Sequence, residues 1–334
     1  MVQEAYYKGT CPLGNPLEVP TTVDKSSDVY LRLKTDEEVR KYYDDNGYVV
    51  RRGLISEELC DEIHQCFLDE VKPYKGYIYR QASANPEKHK ITEHGYMLNS
   101  ILNLQSVNSK TFPNFRKKGV NILTNAKIQH TMKVLMGEDG KLMQSMYFEG
   151  NPATWAHQDC YYLDSEREGA MIGMWLALED IHPGGGRFYV YPTSHKIDMQ
   201  RNGGDFDIAF HHDRYKTLVK NIINKFELKC HAPMLKKGDV LFWGSRTIHG
   251  ALDTFEPQFS RNSITGHYIP ESTRFLALQS FIRPTKLNKI NGINVFSPKD
   301  LDEAKNRAIL KVETTFPKAF QFAKKVGVKL VTSK

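Results

Sequence analysis

From Leu142 to Ile282 the chain is a succession of short runs rich in aromatic and branched apolar residues, each closed by turn-forming residues. Gln144–Phe148, Met171–Leu178, Arg187–Tyr191 and Asp239–Trp243 are four such runs, and Pro183-Gly184-Gly185-Gly186 is the plainest of the turns. Short strands separated by turn clusters are the texture of a sandwich or jelly-roll barrel.

The flanks have a different texture. Residues 1–34 carry Pro, Gly and Thr with little periodicity and are expected to wrap the surface as an extended arm. Thr35 with Glu38 makes a capping-box pattern; Val39, Tyr42 and Tyr43 follow at helical spacing until Asn46-Gly47, and Tyr48-Val49-Val50 suits a first short strand. Ser56 can cap a helix running to about Val71, and Asn125 another ending at Gly137, so 35–141 is expected to be mainly helical. Residues 283–334 are expected to return to helix, with Ser297 as cap, Pro298 at the first helical position and a break at Pro317. With 334 residues and no linker of low complexity, the chain is expected to be one domain, with 142–282 as its β core.

Composition narrows the partners. Lys and Arg exceed Asp and Glu by 46 to 39, giving +7, but the basic residues are scattered, which argues against nucleic acid and for a mild preference for anionic small molecules. Five cysteines, an odd number without CxxC spacing, argue against a disulfide framework or structural zinc and suit a reducing compartment. The first twenty residues lack a leader pattern and no long apolar run occurs, so the expectation is a cytoplasmic protein without a membrane span, monomeric or homodimeric.

The chemistry starts at Trp155-Ala156-His157-Gln158-Asp159. On an extended chain residues two apart face the same way, so His157 and Asp159 form half of a metal site. A third ligand is available in His249, which follows the strand Val240–Trp243, and two His with one carboxylate make the facial triad of Fe(II) oxygenases. Such a triad leaves open positions for a chelating 2-oxo acid and O2, and the acid's far carboxylate then needs a deep cation. Arg261, followed by Ser263, supplies a planar fork and a hydroxyl. An HxD tripeptide alone arises often by chance and either histidine could be a packed or surface residue. The order HxD, His at a strand end, then Arg-x-Ser within a β-rich region is what gives the pattern weight. The other histidines of this region, His267 among them, are expected in surface or hydrogen-bonding roles.

Ala156–Asp159, Trp175–Asp180, Pro192–Lys196, Gly238–Trp243 and Ile248–Gly250 together resemble the phytanoyl-CoA dioxygenase-like family of Fe(II)/2-oxoglutarate oxygenases over about 142–270. The resemblance implies a double-stranded β-helix (jelly-roll, cupin-like) core with flanking helices and iron held by His157, Asp159 and His249. It also implies Arg261 on the 2-oxoglutarate C5 carboxylate, and Trp175, Gln158 and Gln144 near the cosubstrate. The family usually reads Asn-Gly and an apolar residue where this chain has Gly185-Gly186-Arg187, so Arg187 either faces the pocket and pairs with a substrate anion or is a solvated edge residue. Tyr161 and Tyr162 either line the substrate cavity or pack the barrel. Asn99 lies in the stretch 72–120 which, with 196–230, is expected to set specificity.

The implied reaction couples oxidative decarboxylation of 2-oxoglutarate to oxidation of an unactivated C–H bond in a small, carboxylate-bearing metabolite or natural-product intermediate. Hydroxylation, desaturation and ring closure are all open. Halogenation is disfavoured, since Asp159 fills the position that halide would need. A nucleic-acid demethylase is a weaker alternative, because its second arginine is His267 here. A non-catalytic cupin-like binding protein or a zinc enzyme would leave Arg261 without a purpose.

Overall fold

The computed structural model describes residues 6–204, 212–277 and 281–332. Its frame is a jelly roll of two facing sheets. The strands and helices used below are β1 (Tyr6–Thr10), β2 (Pro16–Pro20), β3 (Tyr48–Arg51), β4 (Gly140–Phe148), β5 (Thr154–His157), β6 (Ile172–Ala177), β7 (Phe188–Val190), β8 (Val240–Gly244), β9 (His249–Ala251), β10 (Ser263–Pro270), β11 (Leu287–Ile290) and β12 (Ile293–Phe296), with α1 (Asp36–Asn46), α2 (Glu57–Cys66), α3 (Pro113–Leu123), α4 (Ala126–Met136), α5 (His212–Lys225), α6 (Ala304–Thr315) and α7 (Pro317–Thr332). The large sheet runs β11-β12-β4-β10-β6-β8-β3, and the small one runs β7-β9-β5.

The run Met171–Leu178 reads as continuously apolar because β6 is buried on both faces. Met174 and Leu176 point outward into a core shared with Phe115, Leu123 and Ile128 of α3 and α4. Trp175 and Ala177 point inward and meet Leu241 and Trp243 of β8 and Phe188 and Val190 of the small sheet. Period-two alternation therefore sends every second side chain of β6 and β8 into the space between the sheets.

The expected local signals hold at α1. Thr35 Oγ1 accepts from the Glu38 N–H at 3.2 Å while Glu38 Oε2 accepts from the Thr35 N–H at 2.9 Å, so two orphan donors of the first turn are satisfied. Gly47 ends the helix in the left-handed region, at φ 81°, where an added Cβ would fall 2.4 Å from His195 Nδ1. Ser56 and Asn125 cap α2 and α4 as expected.

Three expectations need correction. The arm 1–34 is in part a hairpin, β1 with β2, whose Val19 is fully buried against the outer face of the small sheet. Arg187 is neither a solvated edge residue nor a pocket cation: it is fully buried and donates to the carbonyls of Ile181, at 2.9 Å, and Pro20. With those donors spent, it fastens the hairpin to the barrel. The tail does not go straight into helix at Ser297-Pro298; β11 and β12 form a second hairpin that extends the large sheet, with Val295 paired to Leu142, and α6 starts only at Ala304. The break at Pro317 is where expected, between α6 and α7. Among the described residues no helix is long and apolar enough to cross a membrane.

The edge of the small sheet beside β7 carries a half-buried imidazole. His231 bridges to Val190 and shares a hydrogen bond of 3.2 Å with the Tyr30 hydroxyl; burial, then the nearby Arg52 charge, push its pKa down to about 4. An unfolded histidine takes its proton near pH 6.5, so below that pH the unfolded state binds more protons and stability is lost as pH falls. Between pH 7 and pH 5 this one group is expected to cost about 2 kcal/mol of unfolding free energy. Urea melts at the two pH values should show a drop larger by that amount in wild type than in His231→Gln; equal drops would remove His231 from the account.

Candidate metal centre

His157 ends β5 and His249 begins β9, and the two are direct partners across the ladder. Cross-strand partners present their side chains to one face, so the imidazoles stand together, ring centres 4.5 Å apart. Each ring is fixed by the same device: Nδ1 lies 2.8 Å from the Trp155 carbonyl in one and 2.9 Å from the Thr247 carbonyl in the other, in each case two residues back along the chain. A ring whose Nδ1–H is given to a carbonyl keeps its Nε2 lone pair for a metal.

Both Nε2 atoms face Asp159 Oδ1, at 3.5 Å and 3.6 Å. One ligand atom from each of the three side chains lies within 4.8 Å of the others, and all three residues are buried. The second carboxylate oxygen, Oδ2, is held elsewhere: the indole Nε1–H of Trp243 donates to it at 2.8 Å, and His267 Nε2 stands 3.4 Å away. Asp159 is thereby set to offer Oδ1 alone. Burial drives the His249 pKa down to about 4, so the ring is neutral at pH 7 and able to ligate. Burial works the other way on Asp159, but its imidazole neighbours outweigh it and hold the carboxyl well below its usual range.

Arg261, just before β10, is 2 % exposed. Its guanidinium lies 5.2 Å from the Phe148 ring centre and 5.9 Å from that of Trp175, and its buried Nε–H has no hydrogen-bond partner among the described residues. Among the described residues no carboxylate pairs with it; burial lowers its pKa to about 10, which leaves it charged at neutral pH. A desolvated, unpaired cation costs several kcal/mol unless an anion joins it. Trp175 stands opposite Thr265, two residues short of His267 on β10, so the guanidinium leans along the strand toward the triad. Donor set and lone cation together fit a hard divalent metal with a chelating dianion, iron with 2-oxoglutarate.

The remaining expected residues divide. Trp175 is buried beside Arg261, and Ser263, fully buried, donates its hydroxyl to the Arg261 carbonyl at 3.2 Å. Gln144 is half-buried and is the ladder partner of His267. Tyr162 sets its ring edge-on to His157 at 5.7 Å, whereas Tyr161 is stacked at 3.6 Å on Tyr215 of α5 and packs the barrel wall. Gln158 is a correction: alternation turns it away from its two neighbours, and its amide donates to the Arg246 carbonyl. Asn99 is another, since its side chain accepts from the Lys90 N–H and donates to the Lys88 carbonyl at 2.9 Å each, bracing a loop. Of the stretch 196–230, residues 205–211 lie outside the described residues.

Two residues at the centre were not anticipated. From sequence, Trp243 falls in an apolar run and a family motif and His267 takes a surface or hydrogen-bonding role, with neither set beside the metal ligands. Both follow from parity: His267 is six residues beyond Arg261 on one strand and so shares its face. Trp243 has room because its ladder partner is Gly173; a Cβ there would fall 2.3 Å from the indole ring. Trp243→Phe is expected to weaken metal binding about 10- to 100-fold, the usual cost of losing a hydrogen bond to a ligand. Gly173→Ala, by displacing the same indole, should produce a similar loss, and isothermal titration with Fe(II) or Mn(II) reads both.

A family model described as Phytanoyl-CoA dioxygenase (PhyH) matches residues 43–259. The chain belongs to the phytanoyl-CoA dioxygenase family. Membership makes it an iron- and 2-oxoglutarate-dependent dioxygenase with O2 as cosubstrate, as the motifs led us to expect. It is 24% identical over 257 residues to the peroxisomal phytanoyl-CoA dioxygenase of Bos taurus, covering 72% of this chain and 71% of that one. It is 23% identical over 287 residues to phytanoyl-CoA dioxygenase domain-containing protein 1 of Danio rerio, covering 75% and 96%. Similar folds include the carbocyclase SnoK from nogalamycin biosynthesis, at TM-score 0.53, 16% identity and 74% and 89% coverage. EctD from S. alaskensis with 2-oxoglutarate and 5-hydroxyectoine is similar at TM-score 0.53, 14% identity and 85% and 90% coverage. These two establish the shared jelly-roll fold.

Proposed function

We propose that the whole chain works as one oxygenase domain that hydroxylates an unactivated C–H bond of a small, carboxylate-bearing metabolite or natural-product intermediate. His157, Asp159 and His249 hold the iron. Arg261 takes the far carboxylate of 2-oxoglutarate, with Ser263 and Trp175 completing its seat. The observation that carries this reading is the buried, unpaired Arg261 on the same inward face as the triad. A zinc hydrolase or a plain binding protein has no use for that cation.

When bound, iron activates O2 against 2-oxoglutarate and supplies the oxidising power for the substrate C–H bond. The protein's part is to orient and to dry the site. Trp243 engages Asp159 Oδ2, so Asp159 would offer iron Oδ1 alone beside the two imidazoles. Phe188, stacked on His249 at 5.4 Å, and Trp243 wall the space with apolar surface, so water is kept from the reacting atoms. Tyr162, edge-on to His157, and Gln144, the ladder partner of His267, remain for substrate contact.

Incubation with 18O2 and a panel of carboxylate-bearing metabolites tests this directly. Hydroxylation places one labelled oxygen in the product and one in succinate. A product without label would replace hydroxylation by desaturation or ring closure, and no product from any acid, with neutral compounds turned over, would overturn the substrate class.

A further inference from the structure

One cleft that the metal centre does not use, of about 890 Å3, lies between β4, β12, the segment 74–84 and the helices α6 and α7. Its volume is that of a small-molecule site. Its walls carry five basic residues, Lys110, Arg283, Lys299, Arg307 and Lys324, against one acid, Asp302, which is itself bound by Arg116 at 3.0 Å. Two of the five cations lie over aromatic faces. Arg283 lies over the Phe296 ring at 5.2 Å, and the Lys299 ammonium lies over Tyr79 at 4.1 Å. Lys299 has one acidic neighbour, Glu313, at 3.5 Å, yet burial together with the Lys324 and Arg283 charges still lowers its pKa.

A second feature points to a ligand independently of charge. Ser106, 6 % exposed, lines this cleft, and its buried hydroxyl has no hydrogen-bond partner among the described residues. Phe275, Phe296 and Met143 give the cleft an apolar stretch of wall. The cleft also reaches the chemistry. Gln144 lines it, and its ladder partner is His267, which stands 3.4 Å from Asp159 Oδ2. Partners across an antiparallel ladder have Cβ atoms roughly 5 Å apart on one face, so the inner wall of the cleft is one strand away from the triad.

We infer that this cleft is the substrate seat, and that the substrate is an amphipathic organic anion. Its carboxylate or phosphate is held by Arg283, Lys299 and Lys324, its apolar part lies along Phe275 and Met143, and its oxidisable end is presented past Gln144. The inference rests on the oxygenase reading for the fate of the substrate, but the anion seat stands on its own geometry.

The probes are octyl phosphate and octanoate, with octanol as the neutral control, added to the full chain loaded with Mn(II) and 2-oxoglutarate under nitrogen. Filling the Arg261 seat with 2-oxoglutarate confines the probe to the cleft. NMR relaxation is expected to show saturable binding of at least one anion, with the terminal methyl protons relaxed by Mn(II) more strongly than the nuclei of the charged end. Whichever anion binds tighter identifies the head group, and either upholds the seat. Arg283→Gln with Lys299→Gln should weaken the anion about tenfold or more while leaving octanol unchanged. Lys324→Gln, an exposed change with little risk to folding, should weaken it by a smaller factor.

Equal anion affinity in wild type and all three substitutions would overturn the seat, as would octanol binding as tightly as the anions. Anion binding that depends on Arg283 and Lys299 but shows no Mn(II) relaxation would overturn its role as substrate seat. Failure of wild type to bind Mn(II) or 2-oxoglutarate would instead sink the oxygenase reading, and titrating octyl phosphate into the metal-free chain would still decide the anion cleft.

Discussion

His249→Ala binds no Fe(II) at micromolar concentrations and turns over 2-oxoglutarate at least about 1,000-fold more slowly than wild type, the scale expected when a metal's several kcal/mol of catalytic stabilisation is removed. The size of the effect follows from how the three ligands are held. His157 and His249 are ladder partners, and each ring is pinned by a carbonyl two residues back, so neither can swing to replace the other. His267 is a nearby imidazole, but it faces Asp159 Oδ2 rather than Oδ1. The fold is expected to survive, because the lost ring leaves its stacking partner Phe188 packed on Trp243 at 4.9 Å. Metal titration and circular dichroism of the same sample check both halves of this outcome.

Arg261→Ala is expected to raise the dissociation constant for 2-oxoglutarate roughly 30- to 5,000-fold, the equivalent of the 2–5 kcal/mol lost when one partner of a buried, hydrogen-bonded charge pair is truncated. Metal affinity should change little, since the guanidinium touches none of the ligands. The same position gives a stability test of opposite sign. Without cosubstrate the wild-type chain keeps a desolvated cation with an unpartnered Nε–H. Arg261→Leu should therefore unfold at a temperature no lower than wild type in the absence of 2-oxoglutarate, and lower only in its presence. A variant that is strongly destabilised without 2-oxoglutarate would show that Arg261 is a structural residue.

Much of this centre could be read from the sequence because β structure has a period of two. His157 and Asp159 sit two apart and end up on one face, and His249 follows a recognisable strand. The capping box at Thr35 and the caps at Ser56 and Asn125 were legible for a similar reason: each is a local pattern whose partners lie within one turn. The errors came where a side chain's environment is supplied by distant chain. Nothing near Arg187 indicates that Pro20, 167 residues away, would take its donors. Gln158 was assigned by resemblance, although alternation alone turns it away from the triad.

The missed hairpin β11–β12 is a different case, since its signal was present. Asn291 and Gly292 both take positive φ, 48° and 87°, in a two-residue turn between strands, and Asn-Gly between apolar runs is a strong local hairpin signal. The helical texture further along concealed it. His267 is legible by parity once a strand is drawn through it, and Trp243 ends a strand that the apolar run already marks.

The most direct test of the central claim is succinate formation. Wild-type protein, loaded with Fe(II) and 2-oxoglutarate under nitrogen and then exposed to O2, should release succinate and CO2 in equal amounts, slowly alone and faster with an accepted substrate. His157→Ala and Arg261→Ala should each abolish it at moderate 2-oxoglutarate, with only Arg261→Ala partly restored at high concentration. No succinate from wild type across a broad substrate panel, or the same yield from all three proteins, would contradict the assignment of the triad and Arg261 to 2-oxoglutarate chemistry.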